Sequence, residues 1–146
     1  MLSRHVAGGA HVGTWEHDGS GEVRLALRWA PASPEATEVH GDLIDATEYG
    51  AYAVAIALVD VLGFKVLGRA ARGTGADWWI EPRWEGGGED GAPWKLEVSG
   101  IDSGTGAVRT RLRAKVDQGR RGEYHRPGIA VVVRFCDVRA ASECWT

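Results

Sequence analysis

The 146-residue chain has only two cysteines, one methionine and five prolines. Cys136 and Cys144 are too few to staple a fold. Neither stands at ligand spacing from a second cysteine or a histidine pair, so both are expected as reduced thiols. Long apolar runs are missing too. The longest, Ala51–Val59, falls far short of the roughly 20 residues that span a bilayer, which argues against a membrane protein. The opening MLSRHVAGGAHVG lacks the apolar segment of a signal peptide, and cytoplasmic residence is expected. There is no internal repeat and no coiled-coil heptad. The GTG and GGG runs lack the strand–loop–helix setting of a phosphate-binding loop. The net charge of −3 does not by itself mark a nucleic-acid binder.

What is present is ordinary in bulk and uneven in detail. Apolar residues make up 44% and charged residues 25%, with 21 glycines and seven tryptophans. That composition predicts a single domain over residues 1–146, closing one core with many short turns. Charge is segregated along the chain. Residues 1–104 carry 8 basic and 16 acidic side chains, whereas residues 105–126 carry 7 basic and 2 acidic ones. One short segment therefore concentrates the positive charge.

Residues 10–29 predict a β-hairpin. Val23, Leu25, Leu27 and Trp29 alternate with polar or small residues, and Asp18-Gly19-Ser20-Gly21 supplies the turn. His11 and His17 in it are read as surface residues. Residues 30–38, with Pro31 and Pro34, read as a loop. Residues 42–62 are the strongest helix, apolar on nearly all sides, capped by Asp45 or Thr47 and closed by Gly63. Phe64–Ala70 reads as a strand and Arg72–Gly75 as a turn. Residues 107–118 predict an amphipathic helix with Val108, Leu112 and Val116 on one stripe and Arg111, Lys115 and Gln118 on another. Residues 119–127 read as a basic loop, and Gly128–Phe135 as a buried central strand. The tail from Cys136 carries no pattern.

Between these lie two short hydrophobic strands, Ala76–Ile80 and Trp94–Val98, each carrying one acid. Gly86–Gly91 joins them as a turn, and residues 100–106 form the next. Paired strands bring Asp77 and Glu97 side by side at one end of a sheet. Adjacent carboxylates repel, so such a pair calls for a cation or a shared proton. Glu48 reads two ways: as partner of Asp45 in a capping box, or as a third acid directed at the pair. A purely structural reading gives Asp77 an arginine partner and Glu97 the Lys115 ammonium.

The order helix, strand, acid-bearing strand, acid-bearing strand, basic helix, buried strand resembles the core of the restriction-endonuclease-like (PD-(D/E)XK) nucleases over residues 42–135. The resemblance implies an α/β (α+β) fold: a mixed central sheet flanked by helices, of αβββαβ order, with residues 1–38 as an N-terminal hairpin extension. It places Asp77 at the first motif acid and Glu97-Val98-Ser99 at the (D/E)-x-K tripeptide, with Ser99 where the lysine is expected. Glu48 matches a helix-borne glutamate of many members. Lys115 on the following helix, with Gln118 after it, or Lys95 on the strand, takes the lysine's role. The implied activity is metal-dependent phosphodiester cleavage, with Mg²⁺ or Mn²⁺ on Asp77, Glu97 and the Val98 carbonyl. Arg109, Arg111, Arg113, Arg120 and Arg121 then meet a nucleic-acid backbone. The absent motif lysine, the acidic bulk and the tryptophans equally suit a non-catalytic module on the same fold. Such a module is a partner-binding or defence-associated accessory protein, with a protein partner or a second copy of itself.

Overall fold

A computed structural model describes residues 9–39, 41–84, 91–103, 107–122 and 124–146. The chain is mixed α+β. Among the described residues seven strands form one mixed sheet, and three helices accompany it. Strand β1 (Ala10–His17) and β2 (Glu22–Arg28) come first, followed by α1 (Pro34–Val39) and α2 (Leu43–Val61). Then come β3 (Phe64–Arg69), β4 (Trp78–Pro82), β5 (Trp94–Ile101), α3 (Val108–Arg121), β6 (Gly128–Arg134) and β7 (Arg139–Trp145). The spatial order is β2-β1-β7-β6-β5-β4-β3. The pairs β1–β7 and β5–β6 are parallel and the other four are antiparallel. Among the described residues no helix is long and apolar enough to cross a membrane.

The hairpin forms where the alternation places it, with Ala10 opposite Arg28 and Glu16 opposite Glu22. Asp18 (φ 47°) and Gly19 (φ 70°) both take the left-handed conformation, and the Ser20 N–H donates to the His17 carbonyl at 2.9 Å. That is the mirror-image turn whose twist matches the strands it joins. The loop expected at residues 30–38 contains the short helix α1, which buries none of its residues. Pro34 fits its first turn, where a missing N–H costs nothing. The tail read as patternless is β7. Its small, polar sequence RAASECW lacks the β-branched signal of a strand. It nevertheless lies between β6 and β1 and ties the hairpin into the sheet.

Two layers of helix cover the sheet, α2 over β3, β5 and β6, and α3 over β5, β6 and β7. Strand β6 lies at the centre of the order, and Gly128–Val133 are all buried. A strand covered on both faces reads as the continuous apolar run seen here. The α2 core joins Val54, Leu58, Val59, Phe64, Ile80, Leu96, Val98, Ile129, Val131 and Phe135. The α3 core joins Val108, Leu112, Val116, Ala130, Val132 and Trp145.

The cap of α2 differs from the expected one. Asp42, not Asp45 or Thr47, is the N-cap, and its Oδ1 accepts from the N–H groups of Ile44 (2.7 Å) and Asp45 (3.1 Å). Glu48 is thereby released from capping. Strand β5 runs on to Ile101, so the turn expected from Gly100 starts later. Residues 104–106 of that turn, and residues 85–90 of the connection between β4 and β5, lie outside the described residues. Helix α3 extends through Arg121, three residues past the predicted Gln118.

Candidate functional site

The site begins with a mismatch in strand length. Strand β4 starts at Trp78, opposite Leu96, so β5 continues past the end of its neighbour. The Asp77 N–H still donates to the Leu96 carbonyl at 3.0 Å. Beyond it no strand residue of β4 remains to take the Val98 N–H. The Asp77 carboxylate fills that place, with Oδ2 accepting from Val98 N at 2.8 Å. A buried N–H needs an acceptor, and here a side chain replaces the missing strand. Along a strand the N–H and C=O of one residue leave on the same side. The Val98 carbonyl therefore leaves β5 on the side where Asp77 stands.

Glu97 and Lys95 share one face of β5, the α3 face, by the two-residue period of a strand. Their fates differ. Glu97 Oε2 accepts from Lys115 Nζ at 2.8 Å, and the same ammonium lies 3.8 Å from Asp77 Oδ2. One cation thus stands between both acids. Glu97 is 1% exposed, and its Oε1 has no hydrogen-bond partner among the described residues. Burial pushes the Glu97 carboxyl above its ordinary value, and Lys115 opposes that rise without cancelling it. Lys95 is fully buried, and its Nζ donates to the Gly119 carbonyl at 3.0 Å. That carbonyl lies in the last turn of α3, where a cation is favoured. Burial lowers the Lys95 pKa. Of the two lysines considered for the missing motif position, Lys115 meets the acids and Lys95 secures the end of a helix.

Two backbone approaches hold the pieces in place. A Cβ on Gly100 would come within 2.6 Å of the Thr47 carbonyl, so only glycine lets α2 start this close to β5. Gly75 (φ 68°) faces Gly122, where an added Cβ would come within 2.6 Å of the Gly122 Cα. That contact fixes the loop carrying Asp77 against the end of α3.

Glu48 faces the acids across the cleft from the first turns of α2. The Tyr52 hydroxyl donates to Glu48 Oε1. Arg69 Nη2 lies 3.6 Å from the same oxygen, and its guanidinium stacks over Tyr52 and Trp78 at 5.0 and 5.5 Å. Burial and the Glu48 contact push the Tyr52 phenol above its ordinary value. Tyr52 and Arg69 were not singled out in the sequence. The signal available was the i, i+4 spacing of Glu48 and Tyr52, hidden because Tyr52 sits inside an apolar helix.

A cleft of about 710 Å³ is lined by Glu48, Tyr52, Asp77, Val98, Lys115 and Gln118, with Ser99 and Arg111. An adjoining cleft of about 560 Å³ is lined by Glu48, Tyr52, Arg69, Asp77, Glu97 and Gln118. Asp77, Glu48, Tyr52 and Gln118 belong to both, so Asp77 and Glu48 stand at the saddle between two hollows of ligand size. The polar stripe Arg111, Lys115 and Gln118 faces this cleft as the helical spacing implies. The other arginines do not. Arg109 pairs with Glu16 at 2.6 Å, and with Arg113 lines a separate recess. Arg121 Nε donates to the Asp117 carbonyl, and Arg120 is exposed.

The donors present suit a hard divalent cation. Asp77, Glu97 and the Val98 carbonyl are oxygen ligands of the kind Mg²⁺ and Mn²⁺ take, and Glu97 Oε1 is a buried acceptor with no partner among the described residues. Comparison with protein-family models, curated proteins and solved structures gives no match to this chain.

Proposed function

We propose that the protein is a metal-dependent phosphodiesterase acting on nucleic acid, with a core of the restriction-endonuclease-like type over residues 42–135. One observation carries this reading. A fully buried glutamate keeps an oxygen without a partner among the described residues, beside a second carboxylate, while a lysine from the neighbouring helix reaches both. Asp77, Glu97 and the Val98 carbonyl would hold Mg²⁺ or Mn²⁺. Bound there, the ion supplies a more acidic water and a polarised scissile phosphate. Lys115 Nζ, already within 4 Å of both acids, stabilises negative charge developing on the phosphate. It occupies the role that Ser99 cannot fill. Arg111, within 3.5 Å of Ser99 Oγ, holds an adjoining phosphate and makes affinity fall with salt. Glu48, oriented by Tyr52 and Arg69, is the acid placed to accept a proton from an attacking water across the cleft.

Incubating the purified chain with single- and double-stranded DNA and RNA, with Mg²⁺, Mn²⁺ or EDTA, tests this. Cleavage that needs the ion and disappears in Asp77→Asn supports it. Intact substrates under every condition overturn it.

A second reading rests on the same lysine. With Lys115 between Asp77 and Glu97, the acid pair is compensated without any ion. A non-catalytic module on this fold, binding a protein partner or a second copy of itself, needs nothing more. A chain that cuts nothing but shows a defined larger mass by light scattering, alone or with a captured partner, selects that reading.

A further inference from the structure

At the opposite end of the sheet order from β3, the hairpin turn meets β7. There His17, Asp18 and Cys144 each bring a ligand-type atom within 4.8 Å of the other two. No local pattern hints at this, because Asp18 and Cys144 are 126 residues apart and meet only once β1 pairs with β7. We propose that this corner is a Zn²⁺ site, with an imidazole nitrogen, a carboxylate oxygen and a thiolate as protein ligands and solvent in the fourth position.

The surroundings are those of a ligand set. The His17 Nδ1 lies 2.9 Å from Ser142 Oγ, which also receives the Trp15 indole N–H at 2.9 Å. That outer partner fixes the ring and turns Nε2 toward Asp18 Oδ2, 3.4 Å away. Metal-bound histidines are held in this way through their second nitrogen. Ser142 is buried, so the bracing group is rigid. Asp18 is held by its own backbone, its N–H donating to the Ser142 carbonyl at 2.9 Å, and its Oδ1 accepts the Cys144 N–H at 2.7 Å. Oδ2 is the oxygen turned to the histidine. Burial and the neighbouring Asp18 push the Cys144 thiol up to about 12. A divalent ion reverses that preference, since a coordinating thiol gives up its proton. Mixed nitrogen, sulfur and oxygen donors suit Zn²⁺ and do not suit Mg²⁺. The site is therefore chemically distinct from the acid cleft, and its test does not depend on nuclease activity.

The full chain is titrated with Zn²⁺ and, separately, with Co²⁺ as a spectroscopic probe, without Mg²⁺. One sulfur-ligated ion is expected per chain, reported by its thiolate-to-cobalt charge-transfer band. Cys144→Ser abolishes the band. His17→Gln and Asp18→Asn each weaken binding by about tenfold or more, the asparagine retaining both the turn conformation and the acceptor for Cys144 N–H. Cys136→Ser and Asp77→Asn keep the band. No band, a band that survives Cys144→Ser, or one lost with Cys136→Ser overturns the proposal. Should Cys144→Ser fail to fold, unchanged affinity in His17→Gln overturns it equally.

Discussion

Strands β5 and β6 present opposite characters to the two helices that cover them. Toward α2 they turn Leu96, Val98, Ile129, Val131 and Val133, and no charged side chain is buried with them among the described residues. Toward α3 the same strands turn Ala130 and Val132, but also Lys95 and Glu97, both essentially without exposure. Burying a charge is costly unless it is paired. The α2 face is thus purely apolar, while the α3 face buries two ionisable side chains, one tied to the Gly119 carbonyl and the other to Lys115. A carboxylate buried at an open strand end beside a cleft, as Glu97 is, marks a candidate functional site.

The contrast is sharpest if each face is damaged in its own way. Phe135→Ala, on the α2 side, should cost about 3–5 kcal/mol, read by urea denaturation, because the ring is fully buried. A much smaller loss would mean that this core is loosely packed and that the two faces differ less than their composition suggests.

On the α3 side, the proposed phosphodiesterase reading requires Asp77→Asn and Glu97→Gln each to reduce ion-dependent cleavage by at least about a hundredfold, the scale of losing one electrostatic group at a reacting centre. Lys115→Met should behave likewise. Circular dichroism should show all three folded. Wild-type cleavage in Lys115→Met would break the assignment of that lysine.

Lys95→Met sharpens the division within the α3 face. It leaves the Gly119 carbonyl without its donor and should cost about 1–3 kcal/mol of stability. On the same phosphodiesterase reading, the folded fraction should cleave as wild type does. A selective loss of turnover would return Lys95 to the reacting centre.

Much of this contrast was legible in the chain. The apolar period of α3 and the β-branched run of β6 are strong local signals, and both elements form where they point. The acids were legible as isolated charges in apolar strands. What local patterns could not contain was the partner across space. The length difference between β4 and β5 sends Asp77 to the Val98 N–H, and nothing in either segment alone encodes it. Lys95 and Glu97 look equivalent on β5, yet the end of α3 claims one and the middle of α3 the other. Strand β7 escaped notice because pairing on both sides, not intrinsic propensity, makes it a strand. The corner of His17 and Cys144 escaped with it.

The cap of α2 offers a milder test. Asp42→Ala removes the acceptor for two N–H groups and should cost about 1 kcal/mol. Asp45→Ala should cost less, because Asp45 donates its N–H to the cap and does not supply one. Equal losses would put the capping role back on Asp45 and return Glu48 to a capping box.

The smallest effect is the most telling about Glu97. Its carboxyl is held above the ordinary 4.5, chiefly by burial. The folded protein therefore holds that proton more tightly than the unfolded chain does. The stability this contributes is fully present below pH 4.5 and is lost as pH rises through the raised folded value. Glu97→Gln has no proton to lose there. The stability of the variant relative to wild type should climb over that window and then level off. Paired urea curves at closely spaced pH values measure it. A difference that falls with rising pH would mean that Lys115 outweighs burial. Glu97 would then be an ordinary stabilising ion-pair partner, and the α3 face would differ from the α2 face in composition without differing in purpose.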